Sequence, residues 1–153
     1  MCGRFFLADS DNSGELRSII DQLNRRGVTV KTGEIFPTDT VPVLANNRNR
    51  RVMPFPMQWG YTLPDGRLLI NARSETAGEK VLFQDAMRQH RCLIPATNYF
   101  EWEKRGREKI KYAIRQADAG LLYMAGLYRV ENGRAVFTIL TREPAEQIRF
   151  IHD

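Results

Sequence analysis

Cysteine and histidine are scarce: the 153 residues contain two of each, Cys2 and Cys92, His90 and His152. Neither a C-x-x-C pair nor an H-x-x-x-H pattern occurs, so the spacings typical of zinc and dithiol redox sites are missing and no metal ion or other cofactor is expected. No stretch approaches the ~18 consecutive apolar residues of a membrane-spanning helix, which argues against a membrane protein. The opening Cys2-Gly3-Arg4-Phe5-Phe6-Leu7 runs straight into Asp9, Asp11 and Asn12. It has no basic leader, long apolar stretch or small-residue cleavage site, and it reads as the start of a cytoplasmic chain. Lysine is also rare, at Lys31, Lys80, Lys104, Lys109 and Lys111 only, so arginine carries most of the net charge of +5. Arginine's planar fork suits phosphate and stacks on bases, which leans toward nucleic acid; solvated surface arginines explain the same count.

What is present suits one domain with a proper core: 42% of the residues are apolar, and there is no repeat, linker or low-complexity segment. Leu16, Ile19, Ile20 and Leu23 recur at helical spacing after a candidate Ser13 cap, and Gly27 can end that helix. Short alternating or β-branched runs follow near 40–45, 52–59, 68–72, 92–95, 99–104, 109–115, 122–130 and 135–141. Turn signals separate several of them, at Asn46-Asn47, Pro64-Asp65-Gly66, Arg105-Gly106 and Asn132-Gly133. A second helix is expected over about 79–89 with Val81, Leu82 and Met87 facing inward, and Pro144 can open a last short one. The pattern is that of a single α+β domain dominated by antiparallel strands.

Chemistry concentrates at a few points. Removal of Met1 would leave Cys2 with a free α-amine beside its thiol. This β-aminothiol can condense with an aldehyde, first as an imine and then as a closed thiazolidine. Unperturbed pKa values near ~7.7 to 8.0 for the amine and ~8.5 for the thiol suit neutral pH. The plainer reading makes Cys2 a small residue in a loose terminus. Asn71-Ala72-Arg73-Ser74-Glu75-Thr76 follows the apolar Leu68-Leu69-Ile70. Asn71 can donate and accept hydrogen bonds, Arg73 can grip phosphate, and Glu75 can hold Arg73; a capped strand end with a structural Arg–Glu pair is the alternative. In Tyr99-Phe100-Glu101-Trp102 a carboxyl group sits among aromatic residues, where desolvation favours the protonated acid and a proton-carrying role. Strand alternation puts Glu101 on the face of Tyr99, not that of Phe100 and Trp102, and an ordinary exposed glutamate also fits. Cys92, flanked by Leu93 and Ile94, reads as a buried core thiol. His90 reads as a helix C-terminal residue, and His152 as either an exposed histidine or a proton shuttle.

Taken in order, Met1-Cys2-Gly3-Arg4-Phe5, Trp59-Gly60, Asn71 to Thr76, Arg91-Cys92-Leu93-Ile94-Pro95-Ala96, Phe100-Glu101-Trp102, Ala125-Gly126-Leu127, Thr138-Ile139-Leu140-Thr141 and Ile151-His152-Asp153 resemble the SRAP family, the SOS-response-associated peptidases or abasic-site-processing proteins. The resemblance spans residues 1–153. It implies one SRAP-like domain built on a curved or barrel-like, mainly antiparallel sheet with a few flanking helices. It implies a monomeric, nucleoid-associated sensor that binds abasic sites in single-stranded DNA and bonds to them covalently through Cys2 after loss of Met1. In that picture Cys2, Asn71, Glu101 and His152 carry the chemistry, while Arg4, Trp59, Gly60, Arg73 and Thr141 contact DNA. The sequence departs from the family pattern in Glu34-Ile35-Phe36-Pro37-Thr38, in Asn98 where relatives have glycine, and in ending at Asp153 where relatives continue for tens of residues. Two other readings stand beside this one: a cysteine-nucleophile peptidase or amidase that processes its own Met1, and a noncovalent single-strand binding module.

Overall fold

The computed structural model describes residues 2–8, 14–118 and 120–151. In chain order the elements are β1 (Arg4–Leu7), α1 (Glu15–Asn24), β2 (Gly33–Ile35), β3 (Thr40–Asn46), β4 (Val52–Trp59), β5 (Tyr61–Thr62), β6 (Leu68–Leu69), β7 (Asn71–Arg73), α2 (Ser74–Ala77), α3 (Val81–Gln89), β8 (Arg91–Ala96), β9 (Asn98–Arg105), β10 (Glu108–Ile114), β11 (Leu122–Glu131), β12 (Arg134–Thr141) and a closing 3-10 helix (Glu146–Ile151). Strands β11, β8, β3, β4 and β12 hydrogen-bond in that order, and β12 returns to β11, which closes a barrel. Alternation fills it: Val41, Val43 and Ala45 on β3, Met57 and Trp59 on β4, Cys92, Ile94 and Ala96 on β8, and Phe137 and Ile139 on β12 belong to one buried cluster. Removing this apolar surface from water is the main force for closure.

The free edge of β12 takes two partners in succession, both parallel. Its first half pairs with the end of β4 (Val136 with Gln58, Phe137 with Trp59), and its second half pairs with β7 (Ile139 with Asn71, Thr141 with Arg73). The chain leaves this edge at Gly60 and returns after the small β5–β6 hairpin. Gly60 has φ +118°, a region that disfavours side chains, and an added Cβ would lie 2.5 Å from the Leu68 side chain. A second, antiparallel sheet runs β10-β9-β1-β2. Its inward face includes Phe5, Leu7 and Ile35, all fully buried.

The main strands lie where sequence alternation puts them, and α1 ends at Asn24 in a turn that closes on Gly27 (φ +74°), with Leu16, Ile19 and Leu23 buried; Ser13 falls outside the described residues. Three details differ. The run near 68–72 is two short strands, β6 and β7, and β1 and β2 were not anticipated. The second helix, expected over about 79–89, is α3 and starts after an extended Lys80, while the short α2 before it was not anticipated. Val81 and Leu82 therefore fall on the exposed first turn of α3, and Phe83 and Ala86 are its buried residues.

Candidate active site around Cys2

β1 is clamped between β2 and β9, which leads the start of the chain into the interior. Cys2 is only 6% exposed. Asn71 Nδ2 donates to the Cys2 carbonyl oxygen at 2.9 Å, and it reaches that position because β7 lies parallel to β12 with Asn71 opposite Ile139. The other amide atom, Asn71 Oδ1, is buried with no hydrogen-bond partner among the described residues, as is Thr141 Oγ1. Buried polar atoms without partners are uncommon in folded proteins.

Cys2, Tyr99, Glu101 and Thr141 line one cavity of about 350 Å³, with Met124, Ile139 and Ile148 as apolar lining and Arg142, Glu143 and Pro144 from the segment after β12. Alternation along β9 explains the grouping, because Tyr99 and Glu101 share a face. Glu101 is buried at 7% exposure, so the reading of an ordinary exposed glutamate is excluded. Burial, and then the Glu101 carboxylate, push the Cys2 thiol up to about 12. Burial raises the Tyr99 phenol as well, with Glu101 and Cys2 as lesser causes. The sulfur of Cys2 is thus a protonated thiol at neutral pH, and its intrinsic reactivity as a thiolate is suppressed.

The opposite face of β9 is a different environment. Arg4 Cζ lies 4.5 Å from the centre of the Phe36 ring and 5.1 Å from that of Trp102. Lys111 Nζ lies 3.9 Å from the centre of the Phe100 ring. Glu34 bridges the two cations, at 3.3 Å from Arg4 and 2.7 Å from Lys111; these contacts, the Lys111 hydrogen bond first, hold its carboxyl below the usual range. A ladder of cations and rings therefore lies on the outer face of the same strand that presents Glu101 inward.

A family model described as SOS response associated peptidase (SRAP) matches residues 1–153. The chain belongs to the SRAP family. It is 30% identical over 165 residues to the abasic site processing protein YoaM of Bacillus subtilis, covering 100% of this chain and 72% of that protein. It is 29% identical over 163 residues to the abasic site processing protein YedK of Escherichia coli, again covering 100% of this chain and 72% of the relative. Among solved structures, a Bacteroides thetaiotaomicron protein superposes with TM-score 0.72 at 22% identity over 98% of this chain and 72% of that one. A phage-related protein of Bordetella bronchiseptica gives 0.69 at 24% identity over 93% and 70%. The barrel with its second sheet is thus the SRAP fold.

Of the site residues expected from sequence, this SRAP domain brings Cys2, Asn71, Glu101 and Thr141 together. Arg4 lies on the ring-bearing face. Arg73 is held by Glu143 and, at 3.7 Å, by Glu75. His152 falls outside the described residues. Trp59 and Gly60 need correction. Trp59 is fully buried, its Nε1–H donating to the Ile70 carbonyl at 3.0 Å and its ring 5.3 Å from Phe5 and 6.2 Å from Phe137. A ring sealed in the core offers no stacking surface, and Gly60 serves the turn away from β12. Cys92 is the buried core thiol expected, raised by burial to about 12. Two features were missed: Tyr99 in the cavity wall, and Phe36, Phe100, Trp102 and Lys111 on the outer face. The period-2 alternation that singles out Glu101 also carried the signal for Tyr99, Phe100 and Trp102, whereas Lys111 joins them only through the pairing of β10 with β9 and Phe36 through Arg4.

Proposed function

We propose that this protein captures abasic sites in single-stranded DNA by bonding to them through Cys2, once Met1 has been removed. The observation that supports this most is the convergence of Cys2, Glu101 and Thr141 on one cavity at the start of the chain, with Asn71 hydrogen-bonded to the Cys2 backbone beside it. An abasic deoxyribose must open from its hemiacetal before it presents an aldehyde. Glu101 can take the proton from the anomeric hydroxyl and return one to the ring oxygen, with no net change; His152 is the second proton carrier the resemblance suggests. The freed α-amine of Cys2 then adds to the aldehyde carbon, and loss of one water gives an imine. The sulfur adds to the imine carbon while its proton passes to nitrogen, closing the thiazolidine. One water leaves in total.

The raised thiol supports this order, because the amine has an ordinary range near neutrality and sulfur acts only after the imine exists. It weighs equally against a peptidase that needs a ready thiolate. Asn71 fixes the backbone of Cys2, and holding amine and aldehyde together removes several kcal/mol of the barrier at about the scale known for intramolecular reactions. The cation–ring ladder suits unstacked bases of a single strand, since aromatic stacking contributes about 1–3 kcal/mol per base. Arg4 and Arg73 would meet flanking phosphates. The test is a denaturing gel of the Met1-free protein with a single-stranded oligonucleotide carrying one abasic site. The expected product is a heat-stable band whose mass is the sum of the two components less one water. Cys2→Ala should lose the band while retaining binding, and a band persisting in that variant would remove Cys2 from the reaction.

A further inference from the structure

The barrel has a second opening, about 340 Å³ in volume, lined by Phe55, Met57, Tyr128, Ala45 and Ala135 and by Asn46, Asn47 and Arg48 from the β3–β4 turn. It shares no residue with the cavity at Cys2. Strand β12 enters it at Ala135 and reaches the Cys2 cavity at Ile139, which separates the two by roughly 13 Å along the strand.

Its lining is apolar and aromatic, and its rim is basic. Phe55 carries Arg26 on its ring, with Cζ 5.6 Å from the centroid, and Arg26 also donates to the Pro54 carbonyl. Tyr128 is braced by His90, ring to ring at 5.0 Å. The turn holds Arg48, Arg50 and Arg51, and none of the three forms an ion pair among the described residues, unlike Arg4, Arg73 and Arg129. No carboxylate lines the opening. The turn is nevertheless ordered. Asn47 Oδ1 accepts from the backbone N–H groups of Asn49 at 2.9 Å and Arg51 at 3.0 Å, and Asn47 N–H donates to the Arg51 carbonyl at 2.9 Å. Arg50 adopts φ +60°, a conformation for which glycine or asparagine is the ordinary choice. The turn therefore gathers uncompensated positive charge, at a backbone position ill suited to arginine, beside a cavity with two aromatic walls.

We propose that this opening is a second contact for single-stranded nucleic acid, with a base inserted against Tyr128 and Phe55 and the adjoining phosphates on Arg48, Arg50 and Arg51. Charge complementarity and the aromatic lining argue for this occupant over an apolar peptide, which would leave three arginines unmatched. The inference rests on the reading of the chain as a single-strand binder but makes no use of Cys2, so an intact strand tests it separately from lesion capture.

The experiment uses the full chain and an intact single-stranded oligonucleotide containing 5-iododeoxyuridine, irradiated and mapped by peptide mass. Crosslinks to Phe55 or Tyr128 are expected; crosslinks confined to Phe36, Phe100 and Trp102, or none, overturn the proposal. In parallel, the triple variant Arg48→Ala, Arg50→Ala, Arg51→Ala should bind the intact strand more weakly and lose about two units of the slope of log K against log salt, near ~0.7 per phosphate contact for single strands. An unchanged slope overturns the proposal as well. Capture of a saturating abasic strand by the triple variant should match that of the parent. Failure of the parent itself to capture would count against the proposed function alone.

Discussion

Once Met1 is removed, Cys2 would hold two nucleophiles of different kind, an α-amine and a thiol suppressed by burial and by Glu101. That asymmetry separates the proton-carrying role of Glu101 from a structural one, because the carboxylate should act on the two chemistries with opposite sign. Glu101→Gln keeps the shape of the side chain and removes its charge. Without the carboxylate the Cys2 thiol becomes more acidic, so alkylation of Cys2 by iodoacetamide at pH 8 should speed up a few-fold, as read by peptide mass. Crosslinking to an abasic strand should slow by about 100-fold, the lower range for loss of a general acid–base, with affinity for the strand retained. If both rates fall together, Glu101 supports the fold and does not carry the proton. The inward direction of Glu101 was legible in the sequence, since Tyr99 and Glu101 alternate with Phe100 and Trp102. Its burial was not, because that depends on β1 and on the segment after β12 closing over the cavity.

At the scale of elements, the parallel pairing of β7 with β12 brings Asn71 to Cys2 and also carries Arg73 to the segment that follows Thr141. There Glu143 pairs with the Arg73 guanidinium, and the Glu143 backbone N–H donates to Glu75 Oε1 at 3.1 Å. A phosphate arriving at Arg73 would have to displace Glu143, so under the proposed function this carboxylate would compete with DNA. Glu143→Gln should tighten binding of an intact single strand by about 2- to 5-fold at low salt, the scale of one exposed ion pair, measured by fluorescence anisotropy. An unchanged affinity would mean that Arg73 takes no phosphate in its place. Sequence patterning found Asn71 and Arg73 at the end of a strand because polar groups there break an apolar run. It misjudged Trp59, since an aromatic residue before glycine looks the same whether its strand ends at the surface or at a barrel seam. The orientation of α3 failed for a related reason: the helix starts after an extended Lys80, and its first turn, with Val81 and Leu82, faces solvent.

The whole molecule is a closed barrel plus a covering sheet, and no helix among the described residues is long and apolar enough to cross a membrane. The barrel strands were readable from period-2 alternation, whereas closure was not, because pairing of β12 with both β4 and β11 sets the ring and the β4–β12 contact is long-range and leaves no local mark. Closure has a consequence for pH. It seals Cys92 inside the barrel and Cys2 against it, and both thiols rise from an ordinary 9.0 to about 12 in the folded state. The folded chain then keeps protons that the unfolded chain releases, so stability is intact below pH 9.0 and falls as pH climbs toward about 12. At pH 10 the loss should be roughly 1 kcal/mol for each thiol, and the buried Tyr61 phenol, also raised by burial, adds to it at still higher pH. Urea denaturation at pH 8 and pH 10 measures the effect. Cys92→Ala should start less stable, because it vacates core volume, yet lose roughly 1 kcal/mol less than the parent between the two pH values. A loss equal to that of the parent would mean that burial of Cys92 is not what couples this barrel to pH.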